Sequence, residues 1–203
     1  GAYAPTHNKV GESRGRRMLI GRHSFIRQSK LSDVAGRIDY ISNPKRQEYL
    51  YATYQTEGAT PEFWKNLARE SQLDFKASGS AGKCIEGREF IIAFPESFVQ
   101  YRADDVVRLF TETFHKRYGV ECSAALHHNK AKTNYHIHLV FSERKMLEQP
   151  EVKIATRNMF YDEQGKHRRT KKEVLDEQGN LRAGCSIIPK GEVYESHIFT
   201  KKD

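Results

Sequence analysis

A chain of 203 residues, 30% charged and 37% hydrophobic, is long enough for one well-filled domain, and nowhere does it approach the ~18 consecutive apolar residues of a membrane span. Lys and Arg outnumber Asp and Glu by 34 to 26, a net charge of +8 that suits a polyanion binder whose affinity comes partly from counterion release. The N-terminus lacks the apolar core of a secretory signal, and the three cysteines (Cys84, Cys122, Cys185) show no C-x-x-C spacing, so a cytoplasmic protein with reduced thiols is expected, not a zinc set or disulfide frame.

Residues 1–17 are polar and basic and read as a flexible arm. Residues 18–28 are expected to hold the first strand, with Phe25 and Ile26 its most apolar pair. Ser32 is placed as the N-cap of a helix in which Val34, Ile38 and Ile41 follow at spacings of four and three, and Asn43-Pro44 ends it, since a residue before proline avoids the helical region. Tyr40 then sits near the helix C-terminus. The tyrosine-rich run 47–54 is open between strand and irregular segment. Thr60-Pro61 starts a second helix over FWKNLARESQ, and residues 71–82 read as a mobile loop. From Arg88 to Phe94 the chain alternates, with Phe90, Ile92 and Phe94 on one face and Glu89, Ile91 and Ala93 on the other. Asp104 and Asp105 open a third helix with Val106, Val107, Phe110 and Phe114 at core spacing and Gly119 as its C-terminal cap.

The stretch AALHHNKAKTNYHIHLVFSERK, from Ala124 to Lys145, carries the chemistry. As strands, it puts His136, His138 and Val140 on one face of the second run and Ile137, Leu139 and Phe141 on the other, and Ala125 and His127 opposite Ala124 and Leu126 in the first. Antiparallel pairing brings His127 across from His136 and His138, a three-imidazole metal site with positions left for substrate. A one-residue slip would substitute His128 for His127. The His-x-His-x-His pattern of nucleotide-binding hydrolases fits less well, because its third position is Val140 here.

Beyond Lys145 the turns DEQG at Asp162–Gly165 and Asp176–Gly179 repeat at a spacing of 14, and between them five Lys or Arg fall within the seven residues from Lys166 to Lys172. Such a block is either a solvated face or a grip on phosphates. A core over 18–150 with a basic, hairpin-containing extension over 151–203, part of the same domain, is expected. Strands separated by long helices imply an α+β class, a central antiparallel sheet with helices on one face.

At the histidine motif the chain resembles the MobA/MobL relaxases of mobilisable elements, within the wider HUH endonucleases. The resemblance lies in ALH, a polar loop and HIHLVFSER, and extends to GRIDYI at Gly36–Ile41, FW at Phe63 and Trp64, and REFIIAFP at Arg88–Pro95. It implies the HUH relaxase, palm-like fold. It also implies site- and strand-specific nicking of single-stranded origin-of-transfer DNA by tyrosine transesterification, with a 5'-phosphotyrosine intermediate, in conjugative mobilisation of a plasmid or transposon. Under it Tyr40 is the nucleophile, with Tyr49, Tyr51 and Tyr54 lesser candidates, and His127, His136 and His138 hold a divalent ion, Mg2+ or Mn2+ by resemblance, although imidazoles suit Mn2+ or Zn2+ at least as well. Glu89 is placed as the carboxylate that fixes a histidine tautomer. Arg144, Lys166, Arg168, Arg169, Lys171 and Lys172 are assigned to DNA, Arg144 either touching a phosphate or capping the sheet, while Phe63 and Trp64 are core residues or base-stacking ones. The implied partners are single-stranded and hairpin origin DNA, with accessory proteins and a coupling protein; no membrane and no nucleotide cofactor is expected. Two competing readings are a rolling-circle replication initiator, with a late nucleophile such as Tyr161 or Tyr194, and a non-catalytic DNA-binding module.

Overall fold

The structure, a computed structural model, describes residues 17–19 and 25–202; the arm expected over 1–17 lies, apart from Arg17, outside the described residues. The chain divides into two units, Gly1–Lys145 with Lys202–Asp203, and Met146–Lys201. In the first, β1 (Arg17–Leu19), β2 (Phe25–Leu31), β3 (Leu50–Gln55), β4 (Gly87–Phe94), β5 (Cys122–His127) and β6 (Tyr135–Phe141) form one antiparallel sheet in the order β1-β2-β4-β6-β5-β3. β6 lies between β4 and β5, with Ile91 and Ala125 opposite His138, and Ala93 and His127 opposite His136. The ambiguous tyrosine-rich run thus resolves as an edge strand, β3.

Helices α1 (Val34–Ser42), α2 (Pro61–Ser78) and α3 (Ala103–Tyr118) complete this unit. The α+β class with a central antiparallel sheet is as expected. On one face α3 buries Val106 and Val107, with Phe110 and Phe114, against Ala124, Leu126, Ile137, Leu139 and Phe141, the residues the alternation assigns to the core. The helices do not share that face: α1 lies over the other one, where the Ile41 carbonyl meets the His127 ring and Arg37 meets Glu89. That second face is covered in part, since Ala125 and Val140 are fully buried while Ile91, Ala93 and His136 keep some exposure.

A nine-residue helix such as α1 is too short to persist on propensity alone. Burial of Val34, Ile38 and Ile41 holds it, at up to ~1.5–3 kcal/mol for each side chain. Its N-cap is Asp33, one residue later than the sequence suggests, and the Asp33 carboxylate accepts from the Gly36 amide at 3.1 Å. A Cβ at position 36 would meet that carboxylate at 2.2 Å, so a larger residue there would displace the cap. Thr60 caps α2 as its spacing predicts. α2 then runs through residues 71–78, where a loop is expected, ending at Gly79 with φ of 70°. Tertiary partners outweigh the weak local signal there: Gln72 donates to Glu86, Asp74 pairs with Arg144, and Ser71 is buried.

In the second unit β7 (Met146–Ile154) pairs with β11 (Val193–Phe199), and β8 (Met159–Tyr161), β9 (His167–Arg168) and β10 (Ser186–Ile188) form a sheet in the order β10-β8-β9. Both DEQG segments are turns: Gly165 and Gly179 have φ of 77° and 84°, and the Asp162 and Asp176 carboxylates each accept two backbone amides. Among the described residues no helix is long and apolar enough to cross a membrane.

Candidate functional site

His127 leaves the end of β5 and His136 and His138 the start of β6, all on the face covered by α1. Their ligand atoms lie within 4.8 Å of one another. Each ring is fixed by one oxygen that only accepts. His127 Nε2 donates to the Ile41 carbonyl at 2.7 Å, His136 Nδ1 to the Asn134 carbonyl at 2.8 Å, and His138 Nδ1 to Glu89 Oε2 at 2.7 Å. Three lone pairs remain, on His127 Nδ1, His136 Nε2 and His138 Nε2. His136 Nε2 and His138 Nε2 stand only 3.0 Å apart. Two lone pairs at that distance repel unless a proton or a metal cation lies between them, and two imidazoles each ~2.1 Å from one ion stand about 3.0 Å apart at a right angle and about 3.4 Å apart at the tetrahedral angle. The donor set therefore fits a divalent ion.

The electrostatics favour the same state. Burial pushes the His127 imidazolium down to about 4, with the neighbouring His138 adding to the effect, and burial likewise lowers His136. Both are neutral near pH 7, as ligands must be. An unfolded imidazole titrates near 6.5, so the stability gained by keeping His127 neutral is complete above that value and is lost as pH falls toward about 4. Burial alone would raise Glu89, yet hydrogen bonds from His138 and Arg37 outweigh it and hold the carboxyl below its usual range. Glu89 is thus an ionised acceptor on β4, gripped through Arg37 Nε at 3.0 Å and Nη2 at 3.2 Å.

Tyr40 lies on α1, one residue before the carbonyl that holds His127 and one helical turn after Arg37. It is 46% exposed. Its ring centroid is 5.6 Å from the Arg37 guanidinium and 5.9 Å from that of Arg46. Arg37 therefore touches both the carboxylate behind His138 and the ring of Tyr40. Sequence reasoning misses Arg37, although its position three residues before Tyr40 puts the two on one helical face.

The remaining candidates separate. His128 is turned away from the triad: its Nε2 meets Glu96 Oε1 at 2.9 Å and its ring packs on Tyr51 and Tyr135. The Tyr54 hydroxyl donates to Glu112 at 2.5 Å beside the α3 core, and the Tyr51 hydroxyl accepts from Lys132 at 2.7 Å. Phe63 and Trp64 are buried, so they are core residues. Arg144 requires correction as a DNA-binding residue: it is 5% exposed and paired with Asp74 at 2.8 Å and Glu70 at 3.6 Å, an internal clamp on α2. In the second unit Lys166, Arg169, Lys171 and Lys172 are exposed, whereas Arg168 is half-buried and donates to Asp162 at 3.0 Å, tying the hairpin.

The family model described as MobA/MobL family matches residues 78–186. That span holds Glu89 and the three histidines but not α1 with Tyr40. No curated protein matches the chain.

Proposed function

The chain belongs to the MobA/MobL family, and on that premise we propose that it is a mobilisation relaxase that nicks single-stranded DNA at an origin of transfer by tyrosine transesterification. The Tyr40 oxygen attacks the scissile phosphorus as the 3' oxygen leaves. The phenol gives up its proton, the departing oxygen gains one, and the 5' end stays on the enzyme as a phosphotyrosine diester. One diester replaces another, so bond energy is conserved, resealing needs no nucleotide, and the step runs both ways.

The observation that carries this reading is the three-imidazole cluster whose His127 ring is held by the helix bearing an exposed tyrosine. A divalent ion held by His127, His136 and His138 would supply Lewis-acid polarisation of a phosphoryl oxygen. Nitrogen donors suit Mn2+ or Zn2+ at least as well as Mg2+. Glu89 fixes the His138 tautomer, and Arg37 keeps Glu89 ionised and in place. The single strand and its adjoining hairpin are the DNA partner; accessory and coupling proteins are the protein partners such a role requires.

Incubating the protein with single-stranded oligonucleotides spanning the origin and Mn2+ tests the reading. The expected product is an adduct stable to denaturing gels that peptide mapping places on Tyr40. An adduct on Tyr161 or Tyr194 would favour a replication initiator, and binding with no adduct would leave a DNA-binding module.

The exposed cations of the second unit are assigned to phosphate binding. Replacing Lys166, Arg169, Lys171 and Lys172 with Gln is expected to weaken binding. On a single strand the log–log salt slope should fall by about 0.7 for each phosphate the protein no longer neutralises. An unchanged slope in anisotropy titrations would take this block out of the interface.

A further inference from the structure

Tyr40 is flanked by two guanidiniums that reach it from different segments. Arg37 comes from its own helix and Arg46 from the turn that follows. That turn is a built feature: the Arg46 and Gln47 amides both donate to the Asn43 carbonyl, and the Gln47 side chain donates to the Tyr40 carbonyl at 3.0 Å, folding the segment back on the helix end. Arg37 commits Nε and Nη2 to Glu89, which leaves Nη1 uncommitted among the described residues. Arg46 is exposed and makes no ion pair among the described residues.

A ring contact at an exposed site gains a guanidinium little. Glu89 neutralises Arg37, but Arg46 makes no ion pair among the described residues, so a net positive charge stands beside the phenol and favours an anion there. Planar guanidiniums pair with phosphate oxygens through parallel N–H bonds, and both stand beside the side chain taken to be the nucleophile.

We propose that Arg37 and Arg46 form the seat for the phosphodiester that Tyr40 attacks, binding its non-bridging oxygens before transfer and those of the phosphotyrosine diester after it. Both diesters carry one negative charge, so the same seat serves cleavage and resealing. The inference rests on Tyr40 being the nucleophile.

A scan with neutral methylphosphonate linkages tests it without chemistry. In the full chain carrying Tyr40→Phe, the affinity for single-stranded origin oligonucleotides is measured with one linkage neutralised at a time, with and without Arg46→Gln. Arg46 is exposed, so its replacement leaves the fold intact, which a melting curve checks. The expected result is a loss of about tenfold when the phosphate at the cut position is neutralised, shrinking to about twofold once Arg46 is Gln. Arg37→Lys, which keeps a charge but loses the planar fork, is expected to reduce the same coupling. Absence of coupling at every linkage, or coupling confined to linkages remote from the cut, overturns the seat. If the wild-type chain forms no adduct while one linkage still couples to Arg46, the anion seat stands and the nicking reading alone fails.

Discussion

Tyr40→Phe is expected to abolish covalent capture of DNA completely while leaving single-strand affinity within about twofold and the melting temperature unchanged to within about 1 °C. The asymmetry follows from the surroundings of the side chain. Its ring is exposed, and among the described residues its hydroxyl makes no hydrogen bond, so removing one oxygen opens no cavity and orphans no partner. Both nearby guanidiniums address the ring, which phenylalanine keeps. Only the oxygen proposed to attack is lost. Tyr51→Phe is the matched control: it sacrifices the bond from Lys132 yet keeps full adduct formation. Denaturing gels of the two variants beside the wild type decide the matter. An adduct that survives Tyr40→Phe at the wild-type level would transfer the role to another tyrosine.

His138→Ala is expected to weaken Mn2+ binding by at least about a hundredfold and to lower cleavage in step, with calorimetric titration of the metal as the readout that does not depend on DNA. His138 is singled out because it is the triad ring tied through Glu89 to Arg37, so its removal takes away a proposed donor and leaves the carboxylate bonded to Arg37 alone. Glu89→Gln keeps all three rings and removes only the charged acceptor. It is expected to cost about tenfold to a hundredfold in metal affinity, the range for partners one bond removed from a metal. Arg37 then faces a neutral amide, and α1 loses one of its polar anchors. If His138→Ala binds Mn2+ as the wild type does, the triad is not the ion's seat.

Much of this arrangement is legible in the chain because its signals are periodic. Strict alternation in HIHLVF and REFIIAF forces histidines and Glu89 onto one face and the apolar residues onto the other, and the register then follows from pairing. The spacing of Val106, Val107, Phe110 and Phe114 marks α3, and Asp first with Gly last marks both DEQG turns. What resists reading depends on partners far apart in sequence. Arg37 gains its meaning from Glu89, 52 residues away. Arg144, beside Glu143 and Lys145 after the histidine strand, looks free until α2 supplies Asp74 from 70 residues away. The same pair stretches α2 into a segment whose Ser, Gly and Lys content argues for a loop. Likewise, nothing local says that α1 crosses to the face opposite α3; only its bond to His127 and its grip on Glu89 reveal it.

The Ile41 carbonyl that accepts from His127 belongs to the residue next to Tyr40. A tilt of that helix end which advances the phenol either carries the imidazole along or breaks this bond. On the proposed roles, the attacking side chain and the cation's imidazoles are therefore geared together through one backbone oxygen.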